Sequence, residues 1–367
     1  MNRAFSAYLD LVRFIAAMLV VLDHLVAFRI VTPAQAAFFP EWGREAVVMF
    51  FVLSGFVIAY ATESRQQSFG QYAVSRAARI YSVALPLLLL AFLGAYALQG
   101  VLAEPLKEGY QLQKFYLYIP YHSLFLGELW THSETPLWLI PYWSLGYEVW
   151  YYLLFGVLFF MRGRRRMLCA ATVLLVMGYK LWLLLPVWYA GVLLWRGRER
   201  LRLAPAAARA GMLLSVVLLC AYKFWHGDVW LRTLGHAWWP FASLPLGSAE
   251  RYPGDYLVGL LVLLNFHCAL HARMAMPQWA SRAARVLAYY TFPLYLVHGL
   301  VISCWLALRP AAAGGVEPVS VCLAVLLATW LAGSLADPLR AAMEAGGRRL
   351  CAWLASAGGG LRTLQEK

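Results

Sequence analysis

The chain has 367 residues, of which 62% are hydrophobic and 13% charged, whereas a soluble domain is nearer one half apolar and one quarter charged. Long apolar segments alternate with short polar loops, which excludes a soluble globular protein and indicates a polytopic helical protein in a lipid bilayer. The net charge of +13 does not indicate nucleic-acid binding, because the basic residues cluster in short loops beside apolar segments, as the positive-inside rule predicts. The six cysteines lack a C-x-x-C pair and are expected to be small buried hydrophobic residues rather than metal ligands or disulfides.

A membrane-spanning helix needs about 20 mostly apolar residues. The run Met167–Trp195 lies between two arginine clusters. Both clusters can face the cytoplasm only if the run crosses the membrane an even number of times. We therefore predict two short helices that divide near Leu185–Pro186. The predicted fold class is therefore all-α, with about ten transmembrane helices and cytoplasmic N- and C-termini. The other expected spans are Tyr8–Val31, Arg44–Ala61, Ile80–Leu98, Leu137–Met161, Arg209–Trp225, Tyr256–His271, Val286–Leu308 and Pro318–Ala336.

The chain is expected to comprise two parts. Residues 1–337 form the transmembrane domain, and residues 338–367 form a basic amphipathic tail on the cytoplasmic face. No cleavable signal peptide is evident, because the N-terminus runs directly into the first long span.

The first span contains three groups that are costly in hydrocarbon. Its sequence, LVRFIAAMLVVLDHLVAF, contains Arg13, Asp23 and His24. A separation of eleven residues places Arg13 and His24 on nearly the same helix face, about 16 Å apart. Histidine suits general-base catalysis near neutral pH, and arginine suits binding of phosphate. Alternatively, Arg13 extends to the lipid headgroups while Asp23 and His24 pair with each other or with a neighbouring helix.

Two further motifs follow along the chain. Ser54 and Gly55 lie in the apolar segment FFVLSGFVIAY, where such small residues commonly allow close helix packing. Arg76 and Arg79 lie three residues apart and share a helix face. They either mark the inner membrane boundary or form a phosphate-binding cluster with Arg13.

The segment PYWSLGYEVWYYLLFG places Glu148 in an aromatic run, with Ser144 one turn earlier. A carboxylate in a span needs a partner or a proton. Glu148 is a candidate hydrogen-bond acceptor, a group that orients His24, or a ligand for a sugar hydroxyl. Trp143 and Tyr147 belong either to an interfacial aromatic belt or to a surface that stacks against a carbohydrate.

Late in the chain, FPLYLVHGLVI contains His298, which by itself is typical of a histidine used in helix packing. His267 and His271 have the H-x-x-x-H spacing of a metal pair, but no third ligand has a suitable spacing. We therefore expect no metal site.

Together these motifs resemble the acyltransferase-3 family of membrane-bound enzymes, which O-acylate carbohydrates and related acceptors. The resemblance extends over nearly the whole chain and rests on five motifs in the order of the family. They are Arg13 with His24; Phe50, Phe51, Leu53, Ser54, Gly55 and Phe56; Arg76 with Arg79; Trp143, Ser144, Leu145 and Glu148; and Tyr295, Leu296 and His298.

The resemblance implies an acyl-CoA donor, most often acetyl-CoA, which enters from the cytoplasm as a co-substrate; no permanently bound cofactor is expected. It also implies roles for residues in three groups. These are catalytic His24, Glu148 and Asp23; donor-binding Arg13, Arg76 and Arg79; and Ser54, Ser144, Trp143, Tyr147 and His298 as contacts to the acceptor or the oxyanion.

The predicted function is O-acylation of a carbohydrate, such as an exopolysaccharide or another cell-surface glycan, by an enzyme of the bacterial cytoplasmic (inner) membrane. An alternative is a proton-coupled transporter or flippase of glycans or glycolipids, which would also bury Arg, Asp, His and Glu as a relay. The five ordered motifs and the lack of internal repeat symmetry favour the acyltransferase.

Overall fold

The computed structural model describes residues 3–100, 102, 107–308 and 317–365. Within these ranges the secondary structure is entirely helical and contains no β-strand, which confirms the predicted all-α class. The helices are α1 Arg3–Ala27, α2 Pro33–Ala36, α3 Gly43–Arg65, α4 Phe69–Ala97, α5 Phe115–Ser123, α6 Tyr142–Phe160, α7 Gly163–Met177, α8 Tyr179–Gly197, α9 Pro205–Phe224, α10 Gly227–Trp238, α11 Tyr252–His271, α12 Gln278–Leu308 and α13 Glu317–Gln365, with 3₁₀ turns at Leu112–Lys114 and Gly247–Ala249.

Seven of the described helices, α1, α3, α4, α9, α11, α12 and α13, are long and apolar enough to cross a membrane. The bent pair of α7 and α8 supplies an eighth candidate if it counts as one span. The tyrosines, tryptophans and Glu148 of α6 lower its hydropathy below that of the seven. The chain is thus a multi-pass membrane protein, and the expected count of ten spans is not confirmed.

The break in the run Met167–Trp195 lies at Gly178 and not at the expected Leu185–Pro186, which remains inside α8. The helix direction changes there by 118°. Gly178 has φ +78°, and a Cβ at this position would lie 2.8 Å from the Cα of Trp130. Glycine alone combines this backbone conformation with so close a neighbour, so the chain bends there rather than at the proline.

Helix α3 lies at the centre of the bundle and packs against α1, α8 and α11. Its crossing with α8 is especially close: a Cβ on Gly55 would lie 2.0 Å from the carbonyl oxygen of Trp188, and a Cβ on Gly191 would lie 2.0 Å from that of Val52. Small residues permit such backbone approach between membrane helices. The Ser54-Gly55 pair therefore has the packing role considered for it, through its glycine.

Helix α13 runs continuously from its apolar segment into the expected tail, with Pro338 inside the helix. The extension packs against α4, where Gly347 faces Val74 and Gly70 faces Cys351. A separate tail domain at 338–367 stays a prediction, and its residues 366–367 lie outside the described part of the chain.

The segment between α4 and α6 is held together by buried hydrogen bonds around His122, which is 1% exposed. The hydroxyl of Tyr110 lies 2.9 Å from Nε2 of His122 and donates to the carbonyl of Thr135, and the hydroxyl of Tyr142 donates to the carbonyl of His122. Burial lowers the pKa of His122 to about 4, so its ring is neutral near pH 7.

Candidate active site

A cavity of about 350 Å³ lies between α1, α3, α4, α6, α12 and α13. Charged side chains line one end of it, a carboxylate and hydroxyls line its middle, and aromatic residues line the other end. We call the charged end of the bundle the arginine end. The charged lining residues are Asp10, Arg13, Arg76, Arg79, Glu148, Arg285, Asp337 and Arg340.

The arginine end gathers guanidinium groups from α1, α4, α12 and α13. Arg13 lies 3.6 Å from the carboxylate of Asp10, one turn away on the same helix. The guanidinium of Arg76 lies 5.9 Å from the ring centre of Tyr152, and its buried Nε makes no hydrogen bond within the described structure. Fixed, poorly neutralised arginines of this kind bind phosphate oxygens.

Glu148 lies in the middle of the cavity wall. Its Oε1 accepts a hydrogen bond of 2.6 Å from the hydroxyl of Ser54 and another from the hydroxyl of Tyr152. The indole Nε1 of Trp188 donates to Ser54 Oγ at 3.1 Å. This network satisfies a carboxylate that would otherwise be costly inside the bundle.

Ser144 and Tyr295 close the far end of the cavity. The hydroxyl of Ser144 donates to the carbonyl of Pro141 at 3.1 Å, so Tyr295 donates to Ser144 in their 2.5 Å contact. The ring of Phe50 packs edge-on against Tyr295 at 5.4 Å. We call Phe50, Ser144 and Tyr295 the septum.

His24 and His298 form a pair beyond the septum. Their rings are stacked 5.0 Å apart, and Nδ1 of His24 lies 2.7 Å from Nε2 of His298. Neither histidine lines the cavity, but the ring of Tyr295 lies 6.2 Å from that of His298. We call this end of the bundle the histidine end.

The hydrogen bonds assign the tautomers of the neutral pair. Nδ1 of His298 lies 3.0 Å from the carbonyl oxygen of Leu294, so it must carry the proton. Nε2 of His298 is then an acceptor, and Nδ1–H of His24 donates to it. The lone pair of His24 is therefore on Nε2, the nitrogen available as a base.

The acyltransferase-3 family model, described as an acyltransferase domain, matches residues 6–336. The match includes all the motif residues identified above. The chain belongs to the acyltransferase-3 family. No curated protein and no solved structure matches it. The family recognised from the motifs is thus confirmed, and the protein is a membrane acyltransferase.

The acyltransferase uses Asp23 to join two helices. The backbone N–H of Gly43 donates to the carboxylate of Asp23 at 3.3 Å, which places a negative charge at the N-terminus of α3. A Cβ on Gly43 would lie 2.5 Å from the Asp23 carboxylate. Although Asp23 adjoins His24 in sequence, the structure pairs His24 with His298.

Trp143 and Tyr147, expected to contact the acceptor, lie in a buried ionic cluster of the acyltransferase outside the cavity lining. The guanidinium of Arg44 lies 5.0 Å from the ring centre of Trp143 and is paired with the carboxylate of Asp255. Tyr147 is fully buried, and its hydroxyl lies 2.8 Å from that of Ser248.

Ser248 continues this cluster to Glu128, whose carboxylate lies 3.5 Å from Nζ of Lys180. Burial raises the pKa of Glu128, and the nearby lysine opposes that rise. The ionic cluster thus extends through residues that the sequence motifs did not single out.

The acyltransferase brings together most of the predicted site residues. Arg13, Arg76, Arg79, Ser54, Ser144 and Glu148 line one cavity, and His24 meets His298 next to it. The described hydrogen bonds of Glu148 lead to Ser54 and Tyr152 and not to His24.

The sequence analysis did not assign Arg285, Arg340 or Tyr295 to the site, although Tyr295 belongs to one of the five motifs. Arg285 and Arg340 adjoin the ends of apolar spans, as Arg76 and Arg79 do. That shared position was the signal that could have grouped the four arginines.

His267 and His271 lie with ring centres 4.9 Å apart on α11. Within the described ranges no group of three or more His, Cys, Asp or Glu side chains is placed to hold a metal ion.

Proposed function

We propose that the protein transfers an acyl group, most simply acetyl, from cytoplasmic acyl-CoA to a hydroxyl of a carbohydrate. The observation that carries this proposal is the arrangement of one cavity, with arginines at one end and the His24–His298 pair just beyond the other. The arginine end faces the cytoplasm in this proposal, and the histidine end faces the acceptor.

The donor fits the charges of the cavity. Five arginines and the carboxylates of Asp10 and Asp337 meet at the arginine end, which leaves a cationic site for the phosphates of coenzyme A. Arg13 and His24 are about 16 Å apart along α1, a distance that an extended pantetheine arm spans. The thioester then reaches the septum, and a movement of Phe50 and Tyr295 admits it to the histidines.

His24 acts as the general base. Its Nε2 takes the proton of the acceptor hydroxyl as the hydroxyl oxygen attacks the thioester carbon. The new C–O bond forms, the C–S bond breaks, and the thiolate of coenzyme A leaves and receives the proton from His24. His298 is a positioning residue that keeps the lone pair of His24 on Nε2.

Glu148 and Asp23 support the site without touching His24. Glu148 fixes Ser54 and Tyr152 beside the arginines, and Asp23 fixes the end of α1 that bears His24 to the start of α3. Ser54 and Ser144 remain candidates for contacts to the acyl group or the oxyanion, because both line the cavity.

The acceptor is proposed to be a bacterial exopolysaccharide or another cell-surface glycan, and the membrane the bacterial inner membrane. A glycan offers the hydroxyl nucleophile that His24 would need as a general base. The choice of a glycan rather than another hydroxyl compound rests on the resemblance to carbohydrate O-acyltransferases.

The test uses membranes that contain the wild-type protein, His24→Ala or the control His267→Ala, each at matched expression. Labelled acetyl-CoA is supplied, and label is followed into glycan and free CoA. We expect label in glycan with wild type and His267→Ala, and a loss of at least about 100-fold with His24→Ala, in the range of a lost general base. Wild-type rates with His24→Ala would refute the assignment. Glycan export without CoA release would support the transporter instead.

A further inference from the structure

The arginines of the cavity form two faces at different depths. Arg13, Arg76 and Arg79 come from α1 and α4; Arg285 and Arg340 come from α12 and α13. The side chain of Arg13 is 18% exposed, whereas that of Arg340 is 43% exposed. Arg285 is likewise exposed. We call the first three, which lie deeper in the bundle, the inner face of the cavity, and the last two, which lie at its rim, the outer face. Neither name refers to a side of the membrane.

The inner face lies next to the interior of the bundle. Arg76 stacks over Tyr152, and Tyr152 in turn donates to Glu148 in the middle of the cavity. The outer face adjoins the rim instead: Arg285 lies near Asp10, and Nε of Arg340 is 3.1 Å from Glu344 on the exposed extension of α13.

Coenzyme A carries phosphate at two separated places. The pantetheine arm, which bears the thioester, leaves from the diphosphate, and the 3′-phosphate is attached to the ribose on the opposite side of that diphosphate. A donor with its thioester pointing into the bundle therefore places its diphosphate deep and its 3′-phosphate near the rim.

We propose that Arg285 and Arg340 bind the ribose 3′-phosphate of the donor, while the inner face binds the diphosphate. This inference rests on the acyl-CoA donor proposed above. A phosphate monoester is a dianion that two guanidinium groups from different helices can hold from two sides. Arg285 has no carboxylate within 4.0 Å in the described structure, so it is not already engaged in an ion pair.

The consequence is selectivity among acyl thioesters. Acetyl-CoA carries the 3′-phosphate and engages both faces. Acetyl-3′-dephospho-CoA engages the inner face alone, and a thioester on the phosphopantetheine of a carrier protein offers neither the diphosphate nor the 3′-phosphate.

The experiment compares acetyl-CoA with acetyl-3′-dephospho-CoA for the purified full-length protein in liposomes. We expect wild type to favour acetyl-CoA by about 10- to 100-fold in kcat/KM, the range for loss of charge-assisted hydrogen bonds. The double variant R285Q/R340Q should lose this preference by becoming worse with acetyl-CoA alone. The single variants R285Q and R340Q should each lose part of it.

The control is R282Q/R348Q, which removes two arginines of the same helices that do not line the cavity. Arg348 also pairs with Glu344, at 3.6 Å, so the control, like R340Q, removes one of the two ion pairs of Glu344. This variant should retain the wild-type preference.

Two results would overturn the inference: equal use of both donors by wild type, or an equal loss for both donors in R285Q/R340Q. Equilibrium binding of CoA and 3′-dephospho-CoA separates this inference from the proposed function. If binding depends on the 3′-phosphate through Arg285 and Arg340 but no acyl transfer occurs, the proposed function fails and the phosphate site stands. If neither compound binds, both proposals fail.

Discussion

A single backbone carbonyl sets the tautomer of His24. The oxygen of Leu294 holds the Nδ1 proton of His298, which makes Nε2 of His298 an acceptor for His24. In a neutral histidine one ring nitrogen is the donor and the other the acceptor. The chain of two hydrogen bonds therefore leaves the lone pair of His24 on Nε2, the nitrogen proposed as the base.

Replacing His298 should lower kcat without changing KM for the donor, because the cavity arginines stay in place. We expect His298→Leu to reduce kcat by about 100-fold, since His24 loses the acceptor that fixes its tautomer. His298→Gln should recover part of the loss, because an amide oxygen can accept from Nδ1–H of His24. Initial rates at varied acetyl-CoA measure both constants. Equal losses in the two variants, or a raised KM, would contradict the positioning role.

At this scale the sequence predicted the chemistry of the residues better than their pairing. Arg13 and Glu148 were identified from the cost of charged groups in a span, and Ser54 from the family motif; all three line the cavity. Asp23 was grouped with His24 because the two are adjacent, but neighbours on a helix point about 100° apart. The partner of His24 is 274 residues away in the chain, and no local pattern encodes such a contact.

Helices extend beyond the segments that hydropathy identifies. The predicted span Val286–Leu308 is part of α12, which begins at Gln278. Hydropathy marks where the chain meets lipid, whereas the helix continues through polar turns as long as its backbone hydrogen bonds and packing allow. The extra turns of α4 and α12 carry Arg76, Arg79 and Arg285.

The crossing of α3 and α8 should tolerate no added side-chain atom. Gly191→Ala would place a Cβ 2.0 Å from the carbonyl oxygen of Val52, which forces the central helices apart at a cost of about 3 kcal/mol or more. The matched control is Gly94→Ala on α4, where a Cβ meets nothing within 4 Å. That variant should be neutral or stabilised by up to about 1 kcal/mol.

Thermal unfolding of the two variants in detergent provides the measurement. A large fall in the unfolding midpoint is expected for Gly191→Ala but not for Gly94→Ala. Unchanged stability of both would show that α3 and α8 do not approach as closely as described.

The stability of the whole molecule should depend on pH through His122. Its pKa is about 4 in the folded protein and near 6.5 in the unfolded chain, so the unfolded state binds the proton first as pH falls. The free energy of unfolding is therefore unaffected by protonation of His122 above pH 6.5. It falls progressively as pH falls from 6.5 toward 4, by about 3 kcal/mol in total.

The variant His122→Gln should lack this part of the pH dependence. Unfolding midpoints of wild type and His122→Gln between pH 4 and 7.5 provide the comparison, and their difference cancels other titrating groups. A constant difference over this range would rule out His122 as the source.

In the location proposed above, an energised bacterial inner membrane, the septum would also bear on the energy supply of the cell. Such a membrane stores free energy as a proton gradient, which a continuous aqueous path would dissipate. The 2.5 Å contact of Ser144 with Tyr295, backed by Phe50, lies between the cavity of about 350 Å³ and the histidine pair. The barrier that the proposed mechanism asks the thioester to pass would then also keep protons from crossing the membrane through the protein.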